Sequence, residues 1–376
     1  MLRRSVLLMG FLSVFSLSMA QHNAVAEPVH VETTAVTEAV AAPETEADKT
    51  RRENKEFITH HLLDAHSFDI MVTKEGKHIG FPLPVIFYDQ ENGLHTMMST
   101  AFHHGENVVE SKGGYYKLFH EKIYKTDASG TIHLDEEHHA TNEKVLDLSL
   151  TKSVLMIIVT ALLLVFIFGS MAKNYRKSPV PTGFGKILEP VILFVRDDIA
   201  KPNIGVKYKK YLPFLLTIFF FILILNIFGL MPFGVNVTGQ LAVTASLAIF
   251  TFLITQFTAN KNYWQHIFWM PGLPLPMKIV MIPIEIIGMF IKPFALLIRL
   301  FANMTAGHIV LMSLIAMIYV FKNIIGSVAF PFLTFVIYLL EILVAFLQAY
   351  IFTMLAAVYF GMANEEHHHE EEALHH

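Results

Sequence analysis

The 376-residue chain contains no cysteine, which excludes disulfide staples, thiol nucleophiles and thiolate metal sites together. Charge is sparse as well. Asp, Glu, Lys and Arg make up 16% of the residues and leave a formal net charge of −4. No basic stripe carries interleaved aromatics, so nucleic acid is excluded as a partner. With 53% hydrophobic residues and a mean hydropathy of +0.48, the chain is too apolar for a water-soluble domain of this length and too polar to lie wholly in lipid. It must have two parts.

The first part reads as exported. Arg3 and Arg4 precede an apolar run over 6–17, and Ser18-Met19-Ala20 offers small residues where a signal peptidase cuts. That run is short for a span of about 20 residues, so a signal peptide over 1–20 is expected. Residues 21–50 are rich in Ala, Val, Thr, Glu and Pro without an aromatic, a composition that cannot build a core; a flexible tether is expected over 21–56. Residues 57–148 have the composition of a small α+β or β-rich extracytoplasmic domain. Residues 115–124, then Thr126-Asp127-Ala128-Ser129-Gly130, then 131–134 predict a β-hairpin, and 81–84 with 85–88 a further extended piece. His60, His61, His66, His103, His104, His138 and His139 crowd this region. Adjacent pairs cannot turn both rings to one ion, and no metal-ligand spacing stands out. Surface or interface histidines are expected, without metal or cofactor.

The second part, 149–363, reads as a membrane domain, followed by a cytoplasmic His/Glu tail over 364–376. A span over 154–172 ends in Lys173, Arg176 and Lys177, a basic cluster that marks the cytoplasmic side. Residues 185–200 place Ile187, Leu188, Val191, Ile192 and Val195 on one arc, as in a helix lying along the interface. Spans over 211–231 and 241–259 follow, then Lys261, Trp264 and Trp269 at the inner interface and a Pro-Gly-rich break over 270–276. The last two apolar blocks, 278–320 and 325–362, would reach about 64 and 57 Å as helices, against roughly 30 Å of hydrocarbon. They predict a steeply tilted antiparallel hairpin turning at Lys322-Asn323. The expected fold is an all-α polytopic membrane protein of about five crossing helices plus one interfacial helix.

Arg299 lies inside the first of these blocks. A guanidinium keeps its charge, and a charge at the bilayer centre costs roughly 2.5–3.5 kcal/mol even on the most lenient insertion scale. Such a group faces protein or a wet cavity and marks an ion path. In an antiparallel hairpin Arg299 falls level with Gln348, and His308 with Glu341. Lys278, Glu285, Lys292 and Arg299 recur every seven residues, which keeps them on one slowly drifting stripe, with Asn303 one turn beyond. Snorkelling explains Lys278 and competes at Lys292, but not at Arg299; interhelical hydrogen bonding competes for Gln348. Ala302, Ala306 and Gly307 let another helix approach this face.

The string from Arg299-Leu300-Phe301-Ala302-Asn303-Met304 through Ala306-Gly307-His308, with the later Leu347-Gln348-Ala349, closely resembles subunit a of the F-type ATP synthase membrane sector. Asn226-Ile227-Phe228-Gly229-Leu230-Met231-Pro232 and Lys292-Pro293 add to the likeness, which covers about 173–363. The resemblance implies a non-catalytic stator subunit that carries protons to and from a rotating c-ring through two half-channels. Its implied partners are the c-ring, the peripheral-stalk b subunits and membrane lipid. The implied location is the bacterial inner membrane, with the N-terminal domain outside and the C-terminus in the cytoplasm. Arg299 matches the arginine that faces the ring and separates the half-channels; Asn303 and Gln348 match its polar neighbours. The best-known bacterial pattern has a carboxylate nine residues after the arginine and an imidazole seven before the glutamine. Here those places hold His308 and Glu341, so the pair reads as exchanged and the relay keeps both groups. Glu285 and Lys292 are candidates for the inner half-channel. A secondary transporter with a midplane charged site is the alternative, although the paired repeats with broken helices it calls for are missing between 150 and 362.

Overall fold

The computed structural model describes residues 63–72, 78–135, 140–176, 183, 185–231, 235–269, 275–320 and 324–364. The expected signal peptide and tether, His60, His61, His138, His139, most of the 270–276 break, the Lys322-Asn323 turn and the His/Glu tail beyond Asn364 lie outside them.

Eight short strands build the N-terminal unit. β1 (Ser67–Val72) pairs with β2 (His78–Pro82). β3 (Pro84–Asp89), β4 (Gly93–Met98) and β8 (Leu146–Asp147) form a sheet in the order β4-β3-β8. β5 (Val108–Ser111), β6 (Gly114–Phe119) and β7 (Lys122–Thr126) form another. Alternation sets their faces: Val85 and Phe87 of β3 and Tyr116 and Leu118 of β6 point inward and meet Phe102, Ile123 and Val145 in one core.

The hairpin differs from expectation. It turns at His120-Glu121, inside the predicted 115–124 strand, with both residues at positive φ (46° and 57°). That is the pairing a two-residue hairpin of primed type demands, made here without its usual Asn or Gly. Asp127 instead accepts from Thr131 N (2.9 Å) and Ser129 Oγ (2.8 Å), a side-chain-closed turn that ends β7. Residues 131–134 form no strand; Leu134 only bridges Ala140.

His66 is buried rather than a surface histidine. Its Nε2 lies 2.8 Å from Asp147 Oδ2 and its Nδ1 3.4 Å from Glu121 Oε2, and both carboxylates are buried. Burial opposes its charge, but the bonds to Asp147 and Glu121 and their negative charge win, raising the imidazole to about 10. Next to this triad the unit joins the first long helix, α1 (Lys152–Tyr175). Thr151 caps it by accepting from Val154 N, Lys152 N donates to Ala65 O at 3.0 Å, and Ser153 N donates to Asp64 Oδ1 at 3.0 Å.

Among the described residues, five helical segments are long and apolar enough to cross a membrane. After α1 comes α2 (Gly185–Phe194), which continues through a π turn (Val195–Ala200) into α3 (Lys201–Ile204). The helix expected over 185–200 is regular only to Phe194, since the π turn carries Val195, Ile199 and Ala200 into the core. Gly205 at φ 69° interrupts the path before α4 (Tyr208–Leu230). α5 (Leu241–Thr258), the short α6 (Lys261–Phe268), α7 (Leu275–Val320) and α8 (Ile324–Asn364) follow. α7 runs on through Pro283 and Pro293, and α8 through Pro331; their 46 and 41 residues reach about 69 and 62 Å. Leu215, Phe219, Ile222 and Leu225 of α4 pack against Ala349, Phe352, Ala356 and Phe360 of α8 in the helical core. Small residues bring the helices close: a Cβ on Gly361 would overlap the Asn203 carbonyl of α3.

Candidate functional site

The site is built on one face of α7. Leu296, Leu300, Met304 and Leu311 recur at helical spacing and are buried, which turns the intervening positions outward. Arg299, Ala302, Asn303 and Ala306 are all exposed. The guanidinium thus stands on a lightly built outer surface, and among the described residues no carboxylate pairs with it.

On the C-terminal side of Arg299 the polar groups turn inward. Asn303 Nδ2 donates to Gln348 Oε1 at 3.1 Å, and Gln348 is buried. This pairing sits one helical turn away from the expected Arg299 level. Glu341 packs against Gly307, where any Cβ would overlap its carboxylate. His308, the next residue, is buried and Glu341 half-buried. Gly307 is therefore what lets a charged side chain of α8 enter beside α7.

The chain between α4 and α5 braces this region with groups that spacing alone did not single out. Asn226 Nδ2 donates to Ala345 O (3.1 Å) while its Oδ1 accepts from Thr238 Oγ1 (2.8 Å). Asn236 Nδ2 donates to Met304 O (3.3 Å), Thr305 Oγ1 to Gly239 O (3.3 Å) and Tyr338 OH to Leu230 O (3.3 Å). With lipid outside, every such group needs a partner in the protein, and here the bonds tie the end of α4 and the stretch after it to each other and to α7 or α8. Asn226 was visible only as part of a motif; Asn236 and Thr238 carry no periodic signal.

On the N-terminal side lies a second polar system. Lys292 Nζ sits 5.8 Å from the centre of the Tyr359 ring, within cation–π range, and Tyr359 lies within electrostatic reach of Arg299. A cavity of about 200 Å³ opens beside Lys292, lined by Asn262, Tyr263 and His266 of α6, Glu285 and Met362. It has room for several waters. Neither Tyr359 nor His266 was foreseen, because each enters from another helix. Lys292 is seven residues before Arg299 and His308 nine after, so at 1.5 Å per residue the two systems lie about 10 and 14 Å from it along the axis.

Residues 153–361, more than half of the chain, match the family described as ATP synthase A chain. The chain belongs to the F-type ATP synthase subunit a family. It is 45% identical over 286 residues to ATP synthase subunit a 2 of Chlorobaculum tepidum, covering 71% of this chain and 79% of that protein. It is 50% identical over 235 residues to ATP synthase subunit a of Chloroherpeton thalassium, covering 60% and 70%. A more distant member, from an Anaeromyxobacter species, is 40% identical over 267 residues, covering 65% and 64%. Family membership accounts for the multi-pass helical body and displaces the secondary-transporter alternative. Residues 57–148 match a separate family described as a domain of unknown function.

Proposed function

We propose that this chain is the ion-translocating stator subunit of the synthase membrane sector, with Arg299 dividing two half-channels that serve a rotating c-ring. The observation that carries this reading is an exposed guanidinium without a carboxylate partner, set between two polar systems on one helix. A lone charge at membrane depth needs a partner, and the small residues beside it leave space for a ring helix. A protonated ring carboxylate arriving from lipid meets Arg299, whose charge favours the ionised form, and so releases its proton. Arg299 stays charged throughout and bars direct passage between the half-channels.

His308 and Glu341, with Asn303 and Gln348, form the outer half-channel, and Glu285 with Lys292 the inner one. Lys173 and Arg176 at the end of α1 support an orientation with the N-terminal unit outside and the C-terminus inside a bacterial inner membrane. The b subunits of the peripheral stalk hold the chain against rotation, and ATP chemistry belongs to other subunits.

The absence of native cysteine permits a direct test. Single cysteines at 285, 292, 308 and 341, in the assembled complex in sealed vesicles, are treated with a charged thiol reagent from either side. Positions 285 and 292 should react from the cytoplasmic side alone, 308 and 341 from the opposite side alone. Reaction of both pairs from the same side would contradict the reading.

A further inference from the structure

The outer face of the β4-β3-β8 sheet lies outside the site described above. Its rows follow from the register. Leu146, Tyr88 and Leu94 lie side by side. Next come Leu148, Ile86 and Thr96, then Leu150, Pro84 and Met98, since Leu148 N donates to Ile86 O and Leu150 N to Pro84 O. Leu146, Leu148, Tyr88, Leu94 and Met98 are between 37% and 49% exposed, while Val85, Phe87, His95, Asp147 and Ser149 point the other way and are buried. Eight of these nine outward positions are apolar, the ninth is Thr96, and none is charged. Together they make one contiguous apolar patch.

We infer that this sheet face rests on the lipid bilayer, in the headgroup region where α1 enters. The first support is continuity. The strand that supplies Leu146, Leu148 and Leu150 runs directly into α1, whose first helical residue is Lys152. On α1 the exposed side chains Val159, Leu162, Val165 and Phe166 continue the apolar surface. The unit is also fastened to the helical body: Lys152 N and Ser153 N bond back to Ala65 and Asp64, and Phe68, stacked on Phe81, packs against the helical core. The face is thus held beside the membrane.

Size and chemistry favour lipid over a protein partner. Three strands about 4.8 Å apart and five residues long at about 3.4 Å each give a face of roughly 250 Å². A stable protein interface takes about 800 Å² from each side, far more than this face offers. A bilayer asks for no such area, because the covalent link to α1 already supplies the attachment. Tyr88 matches the aromatic residues that collect at membrane–water boundaries.

The test uses the full chain with one introduced cysteine at a time. Thr96→Cys sits in the middle row of the face and changes the side-chain size little, so it keeps the test open should Leu94→Cys or Leu146→Cys disturb folding. Glu110→Cys, exposed on β5 of the other sheet, is the reference. Each site carries an environment-sensitive fluorophore, and the protein is placed in phosphatidylcholine–phosphatidylglycerol vesicles with or without brominated acyl chains. Labels at 94, 96 and 146 should be quenched by brominated lipid at least about twofold more than the label at 110, and shielded from aqueous iodide. Iodide quenching equal at all four sites would overturn the proposal. Shielding from both quenchers would overturn it too, by showing that protein covers the face.

Discussion

Glu341 and His308 stand on neighbouring helices, with Glu341 against Gly307, the residue before His308. If they form one relay, Glu341→Gln should cut proton pumping by about 10²-fold, the usual worth of a positioned proton-transfer group. His308→Ala should cost less, because water replaces an imidazole in a wet channel. The double exchange His308→Glu with Glu341→His should recover more pumping than either single exchange, measured in vesicles at matched complex levels. Additive losses would mean that the two act independently. At His66 the account concerns stability. Its folded pKa of about 10 lies above the unfolded value near 6.5, so its stabilisation is complete below about 6.5 and is lost as pH rises toward 10. The ring should stay doubly protonated at pH 8 by NMR of selectively labelled protein, and a neutral tautomer there would refute the assignment. His66→Gln, which leaves two buried carboxylates without their cation, should cost about 3–5 kcal/mol.

At the scale of the element, α7 depends on where its glycines fall. Gly307 meets Glu341, whereas a Cβ on Gly288 would meet nothing within 4 Å. Gly307→Ala should therefore cost about 1–3 kcal/mol through overpacking and impair pumping by displacing the carboxylate. Gly288→Ala should be neutral or stabilise by up to about 1 kcal/mol. Thermal unfolding of the two variants, with pumping measured on each, checks the contrast. Equal effects would show that the α7–α8 contact is looser than described.

For the molecule as a whole, what the sequence revealed depended on how local the signal was. Arg299 stood out because a permanent charge in an apolar run has few explanations, and the long hairpin because two apolar blocks exceed the bilayer. Antiparallel geometry expected Glu341 level with His308, where the structure sets it against Gly307, and it missed the Gln348 pairing by one turn, since helix facing depends on side-chain size as well as index. The His120-Glu121 turn was hidden because neither residue advertises positive φ. His66 was hidden because its partners lie 55 and 81 residues away in the chain, and the cavity beside Lys292 because α6 supplies most of its polar lining. The chemistry proposed on either side of Arg299 rests on such juxtapositions, the Asn303–Gln348 bond and the cavity beside Lys292.

The most direct test of that chemistry is ATP-driven proton pumping by the assembled complex carrying Arg299→Ala or Arg299→Lys. Both should assemble, since the guanidinium is exposed rather than packed. Both should fail to pump: alanine removes the barrier and the counter-charge, and lysine supplies a charge without the planar fork and can lose its proton when desolvated. Pumping at the unmodified rate by either variant would contradict the account.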